Sequence, residues 1–384
     1  MSYFMTEEQQ VIQKSVHEFC QSPETKKVIA EDNKKGGFAW GSWKLLADMG
    51  YIGVAIPEEY GGQGRDCTTE LIVVEALGAY GHPCLEALAA HNLGMMPILY
   101  WGTEEQKQKY LVPLASGKNV CCGALTDPAG SLNFGGWGFD PKKDGDDYIL
   151  NGSKVTVTNV EASDIKIIFG KNDAGGDFGK MFVVEKGTPG LETGHQEARV
   201  VPGPSDWGTL TMKNVRVPKE DVIIDNGFGA KWTAPSFNLA ALLSLTLGQA
   251  AFGMALNYTK QRTRYGRPLT DLQAVSHRLV NMAIKNESGK TLIYTAARLW
   301  DEGRYDESVR LSSMAKAYVC ESTTQNVHDA TVLHGGVGYT PQSIIGVLNA
   351  MVVSTEIAEI PPDVHRDIVA ETYGIATGWK NGRP

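Results

Sequence analysis

The middle of this chain, from about Val120 to Asn226, is written in short β-rich runs, while the segments on either side carry helical patterning. Asp147-Tyr148-Ile149-Leu150 and Val155-Thr156-Val157-Thr158 flank Asn151-Gly152. Asn-Gly between two such runs predicts a tight hairpin, because both central positions of that turn need positive φ. Further runs at Ile165 to Phe169, Met181 to Val184, Thr209 to Met212 and Val215 to Val217 predict a small barrel or sandwich.

Before this region, Thr6 with Gln9 and Thr103 with Gln106 have capping-box spacing, and Leu71 to Tyr80 reads as a buried helix. Ile56-Pro-Glu-Glu-Tyr-Gly-Gly-Gln-Gly is a loop on its glycines and proline. After Asn226-Gly-Phe-Gly, helical composition returns. A long apolar segment starts at Ala240, and a second helix starts near Thr270 with Leu272, Val275, Leu279, Met282 and Ala283 at helical spacing. Further helices are expected over Leu311 to Leu333 and Ile344 to Ala358. With 384 residues the chain is long enough for two or three domains. The expected fold is α+β, mainly α: an N-terminal helical domain (1–119), a small β-barrel or sandwich domain (120–228) and a C-terminal helical bundle (229–384).

A net charge of -8 argues against general affinity for nucleic acid or anionic membranes, both of which demand a basic surface. Glu7, Glu8 and a single lysine among the first fifteen residues match neither a secretory signal nor a transit peptide, so the expectation is cytoplasmic. The richest apolar window, Ala240 to Leu256, is broken by Ser244, Thr246, Gly248 and Gln249, which predicts no membrane insertion. The six cysteines show neither zinc-site spacing nor the density of a disulfide scaffold, and adjacent Cys121 and Cys122 suit a mutual bridge poorly. No metal site is expected. No Gly-x-Gly-x-x-Gly opens a βαβ unit, which disfavours direct nicotinamide chemistry.

Six landmarks in order then make a resemblance specific: Ile56-Pro-Glu-Glu-Tyr-Gly-Gly, Thr126-Asp-Pro-Ala-Gly-Ser131, Asn151-Gly-Ser-Lys-Val-Thr-Val-Thr158-Asn, Arg262-Thr-Arg-Tyr-Gly-Arg-Pro, Gln273, and His334-Gly-Gly-Val-Gly-Tyr339. Over essentially its whole length the chain resembles the FAD-dependent acyl-CoA dehydrogenases. The resemblance implies α,β-dehydrogenation of an acyl-CoA, electrons passed to electron transfer flavoprotein, and a homotetramer built as a dimer of dimers with FAD near subunit boundaries. In the family the carboxylate base lies twenty-four positions beyond the first glycine of the His-Gly-Gly motif. Counted from Gly335, that is Glu359.

Glu359 follows an apolar helical run and precedes Ile360-Pro361-Pro362, so the helix is expected to end there. A helix C-terminus and an apolar pocket both raise a carboxyl pKa, which suits a base for a weakly acidic carbon. Local sequence alone favours a solvated glutamate; the family spacing reverses that reading. The resemblance implies that the Glu359 backbone N–H and a ribityl hydroxyl polarise the thioester carbonyl. It further implies that Thr126 and Thr158 hydrogen-bond the flavin, that Ser131 lies beside flavin and thioester, and that Arg262, Gln273, Gly335 and Gly336 hold the diphosphate and adenosine. Threonine is also a common β-former, Thr270 to Gln273 has capping-box spacing, and a glycine pair is an ordinary turn. Ala358 and His91 are expected near the acyl group, and a packed histidine is the ordinary alternative for His91.

Thr156 stands where the family usually carries a flavin-contacting tryptophan, and the Thr126 loop is one residue shorter than the common form. Val332 replaces a glutamine, and Ile360, Pro361 and Asp363 replace the Gly, Thr and Gln usual after the base. Ser236 and Phe237 occupy helix positions where relatives carry an arginine or an alternative base. Cys84 stands where glutaryl-CoA enzymes carry an arginine for the distal carboxylate. With Ala358 small, a branched or alicyclic acyl group is expected. The altered adenosine contacts motivate a second reading, a noncatalytic partner subunit of a heteromeric dehydrogenase. A third is an oxygen-using oxidase of the same fold.

Overall fold

A computed structural model describes residues 5–131, 138–171, 178–195, 199–200, 203–224, 230–340 and 343–377. Within these the chain gathers into two compact units. One holds Lys14–Glu70 and His82–Trp232; the other holds Leu71–Gly81 and Thr233–Ile375 with the described residues before Lys14.

The first helices are α1 (Glu7–Gln21), α2 (Pro23–Lys35), α3 (Trp40–Asp48), α4 (Cys67–Gly78), α5 (Leu85–Trp101), α6 (Glu104–Gln106) and α7 (Val112–Ala115). Both expected capping boxes form. Gln9 N–H donates to Thr6 Oγ1 at 3.2 Å while Thr6 N–H donates to Gln9 Oε1 at 3.1 Å, and Thr103 and Gln106 make the same exchange at 3.2 and 2.9 Å.

The β-region is a sandwich. Strands β1 (Cys121–Ala124), β4 (Ile165–Lys171), β5 (Phe178–Glu185) and β8 (Val222–Ile224) form one sheet in the order β1-β4-β5-β8. β2 (Lys142–Asp144), β3 (Asp147–Thr158), β7 (Trp207–Val217) and β6 (Leu191–His195) form the other, in the order β2-β3-β7-β6. Cys122, Ala124, Ile168 and Phe182 of the first sheet share a core with Leu150, Val157, Leu210, Met212 and Val215 of the second.

The expected hairpin at Asn151-Gly152 is corrected, because these residues lie inside the continuous strand β3. The turn sits earlier, where Asp144 pairs with Asp147 and Gly145 takes φ +66°. Asn151 and Gly152 meet an irregularity instead: β7 has one extra residue opposite them, left-handed Asn214 (φ +53°) donates its N–H to Asn151 Oδ1 at 2.9 Å, and Gly152 takes φ +128°. A second bulge lies on β3 itself between Lys154 and Val157, with Thr156 at φ +56°.

Helix α5 packs on β1 without room for a side chain at their crossing: a Cβ on Gly94 would lie 2.7 Å from Cys121 Sγ. All six cysteines are free and buried.

The other unit is built on α8 (Ala230–Gln261), α9 (Gln273–Asp301), α10 (Tyr305–His334), α11 (Ile344–Ile357) and α12 (Pro362–Thr372), with the two-residue strands β9 (Thr263–Arg264) and β10 (Arg267–Pro268) between α8 and α9. Ala251, Ala255, Leu279, Met282, Val327, Leu348 and Val352 form a core. The expected capping box at Thr270 is corrected: the N-cap of α9 is Leu272, and Thr270 lies in a 3-10 turn that delivers the chain into the helix. Lys231–Gln261 and Ile344–Thr372 are each long and apolar enough to cross a membrane by length and composition, although polar residues interrupt both. Over half of the first one's most apolar stretch is buried in the fold, and the second is not one continuous helix, being broken between α11 and α12.

Inside this unit Glu75, 5% exposed, accepts hydrogen bonds from Lys290 Nζ at 2.7 Å, Gln249 Nε2 at 2.9 Å and Tyr294 Oη at 2.6 Å. Burial pushes its carboxyl up, but the Lys290 charge and these three donors outweigh it and hold the group below the ordinary glutamate value. A lowered carboxyl pKa contributes stability above the unfolded pKa, and that contribution is lost as pH falls through the folded one. Lys290→Met strands the carboxylate and is expected to cost about 3–5 kcal/mol of folding free energy, whereas Glu75→Leu with Lys290→Met is expected to recover most of it. Urea denaturation of both variants checks this.

Candidate active site

The apolar helix α11 ends at Ile357, and Ala358 is extended. Two consecutive non-glycine residues then take the left-handed conformation, Glu359 at φ +50° and Ile360 at φ +65°, before Pro361 caps α12. For β-branched Ile360 this region is a steric outlier, and each such residue stores about 1–3 kcal/mol of strain. The surroundings oppose that strain. Fully buried Lys316 of α10 donates from Nζ to Thr355 O at 2.8 Å and to Ile360 O at 3.5 Å. Cys320 Sγ also reaches Thr355 O, at 3.2 Å. His365 of α12 donates from Nε2 to Glu359 O at 3.0 Å, with its ring edge-on to Phe237 at 4.4 Å. Burial pushes His365 down to about 3, so the ring is neutral.

The Glu359 carboxyl accepts a hydrogen bond from Ser236 Oγ of α8 at 2.6 Å. Burial raises its pKa above the ordinary glutamate value, while the Ser236 hydroxyl and the Lys316 charge pull it back. The residue as a whole is half-buried. Among the described residues, no acceptor is bonded to the Glu359 backbone N–H. The neighbouring Glu356 takes a hydrogen bond from Thr324 instead.

Arg262 and Gln273 bracket the β9–β10 arm, both exposed, with Gln273 as the first residue of α9. Tyr258, one turn before Arg262, stacks on His334 at 4.4 Å, so the end of α8 lies beside the Gly335-Gly336 turn. Gly335 takes φ +61°, and a Cβ on either glycine would meet open space. Ala358 is exposed next to the carboxylate.

In the sandwich unit, Val155 N–H donates to Thr126 O at 2.8 Å, which ties the end of β1 to the bulge of β3. Thr126, Ser131 and Thr158 are half-buried, and Thr156 is exposed with its hydroxyl turned back to Val155 O. The Thr126 loop is organised by buried Asp127, which accepts from the N–H groups of Ala129, Gly138 and Phe139 at 3.0, 3.2 and 3.1 Å. Lys154 lies over the Phe139 ring; burial pushes it down to about 7, and Asp127 opposes that.

One expectation changes. His91 is fully buried, accepts Cys121 N–H on Nδ1 at 2.9 Å and donates from Nε2 to Leu114 O at 3.2 Å. With both nitrogens spent on backbone and its pKa near 3 from burial, it is a packed core histidine and not an acyl-tail contact. Cys84 is likewise buried, its thiol on Ala39 O. Sequence reasoning passed over Lys316 and His365, and treated Ser236 only as the lack of a carboxylate. A lysine inside the small apolar run Met314-Ala-Lys-Ala was the available signal.

With this geometry in hand, the acyl-CoA dehydrogenase N-terminal domain model matches residues 6–118, and the acyl-CoA dehydrogenase C-terminal domain model matches residues 238–374. A probable acyl-CoA dehydrogenase of Bacillus subtilis is 31% identical over 96% of this chain and 99% of its own length. A subunit of the caffeyl-CoA reductase-Etf complex of Acetobacterium woodii is 30% identical over 88% of this chain and 90% of its own. The structure of butyryl-CoA dehydrogenase from Megasphaera elsdenii superposes with a TM-score of 0.88 at 29% identity, covering 97% of this chain and 100% of that one. The chain belongs to the acyl-CoA dehydrogenase family of oxidoreductases, which use FAD. Taken unit by unit, the residues fit that cofactor: in the bundle unit Arg262 is exposed and the glycine turn leaves open space for a close approach, and in the sandwich unit Thr126 and Thr158 are only half-buried.

Titration of isotopically labelled glutamate carboxyls is expected to place Glu359 above the ordinary 4.5. Ser236→Ala removes a donor to the charged form and is expected to move it higher still. A Glu359 signal that does not respond to Ser236→Ala would contradict this geometry.

Proposed function

We propose that the chain dehydrogenates an acyl-CoA thioester between its α and β carbons, with Glu359 as the base. The observation that carries this reading is the Glu359 carboxyl itself, desolvated, oriented by Ser236 and set at a fixed turn. The α proton passes to its carboxylate, and burial raises the proton affinity to suit that task. The Glu359 backbone N–H, without an acceptor among the described residues, is placed to donate to the thioester oxygen as charge builds there. Bound FAD supplies the acceptor for the β hydride, a role no side chain fills. Thr126 and Thr158 would hold its ring, with Ser131 alongside and Thr156 in place of the usual tryptophan. Arg262, Gln273, Gly335 and Gly336 would take its diphosphate and adenosine.

The acyl group is proposed to be branched or alicyclic. Small, exposed Ala358 beside the base supports this. Buried Cys84 offers nothing for a distal carboxylate. Electron transfer flavoprotein is the proposed partner, supported by the complex of the Acetobacterium woodii relative. Exposed apolar side chains on α11, among them Ile344, Val353 and Ile357, support burial between copies in a homotetramer. The three-domain division and a cytoplasmic location belong to the same proposal.

Purified protein is expected to be yellow and to bleach under argon faster with cyclohexanecarboxyl-CoA than with butyryl- or octanoyl-CoA. Glu359→Gln is expected to lower the bleaching rate by roughly 100-fold or more. Because the base works deprotonated and its pKa is raised, kcat/KM is expected to fall with acidification through a limb lying above pH 4.5. A colourless, inactive protein, or wild-type bleaching by Glu359→Gln, would sink the reading.

A further inference from the structure

Four groups around the Glu359 turn have no part in the chemistry just described. Lys316 and Cys320 project from α10, His365 from α12 and Phe237 from α8, and all four are buried. Three of them bond main-chain carbonyls on both sides of the base: Thr355 O before it, then Glu359 O and Ile360 O. Of these, Glu359 O and Ile360 O are the carbonyls whose direction is set by the left-handed pair, while Thr355 O belongs to the last turn of α11. A β-branched residue does not hold that conformation unaided, whereas glycine does so at no steric cost. An isoleucine in this place therefore needs external anchors.

We infer that Lys316 and His365 are positioning residues for the reaction: they clamp the carbonyls flanking Glu359, hold the turn left-handed against the preference of Ile360, and so aim the carboxylate. The inference rests on the reading of Glu359 as base. Lys316 acts from the α11 side, closing the last turn of that helix onto the new chain direction. His365 acts from the α12 side, and its ring is kept upright by Phe237. The next residue, Arg366, makes a forked pair with Glu321 at 2.6 Å and 2.6 Å, which docks the start of α12 on α10. Ser236 from α8, Lys316 from α10 and His365 from α12 thus each put a polar group on the base segment.

The test is a set of variants of the full flavoprotein, scored by kcat and KM separately. Lys316→Met and His365→Phe, the latter keeping an aromatic ring on Phe237, are each expected to lower kcat on the order of 10- to 100-fold with little change in KM, since misaiming a base by a fraction of an ångström acts on the chemical step. Adding Ile360→Gly to either variant is expected to restore several-fold of the lost kcat, because glycine adopts the turn without the clamp. Lys316→Met also removes a cation facing the carboxylate, so its acid limb moves to higher pH, while His365→Phe leaves the limb in place. If Lys316→Met does not fold, the His365→Phe pair carries the same expectation. Wild-type kcat in His365→Phe, or a loss that Ile360→Gly does not relieve, overturns the clamp while leaving Glu359 as base, provided Glu359→Gln is inactive. Full activity of Glu359→Gln would overturn both.

Discussion

A carboxylate withdrawn from water pulls toward its protonated form, and it works as a base only if its surroundings fix its direction and limit that pull. Here both tasks fall to a few hydrogen bonds. The Ser236 hydroxyl meets one carboxylate oxygen, the Lys316 ammonium lies close enough to be felt, and the main chain on either side is tied to α10 and α12. Long helices of the bundle unit bring these groups together, Ser236 and Glu359 from positions 123 residues apart in sequence. The packing of α8, α10 and α12 is therefore part of the site.

Electrostatics in this unit follow one rule with opposite outcomes. Glu75 is buried and Glu359 is half-buried with a desolvated carboxyl, but Glu75 has a lysine and two further donors directly on its oxygens, while Glu359 has one hydroxyl and a more distant lysine. Partnering outweighs burial in the first, and burial outweighs partnering in the second. A structural charge and a chemically poised one differ here by two hydrogen bonds.

Much of this was legible in the amino-acid sequence, and the failures have physical reasons. The helix caps at Thr6 and Thr103 read correctly because a capping box satisfies backbone donors locally, with no help from tertiary structure. The sandwich followed from the spacing of the short β-rich runs. Asn151-Gly152 misled because the glycine that suits a hairpin also suits a bulge opposite Asn214, and only the partner strand decides between them. Thr270 failed similarly, as a 3-10 turn took the place of the cap. The left-handed turn at Glu359 and Ile360 was not readable at all: no residue type there favours it, and the groups that bond its carbonyls, Lys316 of α10 and His365 of α12, come together only in the fold. His91 offered two ring nitrogens to a ligand in principle, but the backbone of Leu114 and Cys121 claimed both.

The bulge between Lys154 and Val157 also changes what a residue count along β3 means. Leu150 and Lys154 point into the sandwich as simple alternation requires, but the extra residue reverses the parity, so that Val157 turns inward and Thr158 outward. Strict alternation with every residue kept would instead turn Thr158 into the hydrocarbon interior and Val157 to the outside, whereas deleting Thr156 would remove the bulge and leave both faces as they are. One inserted backbone unit thus decides on which side of the sheet the strand's last side chain is displayed.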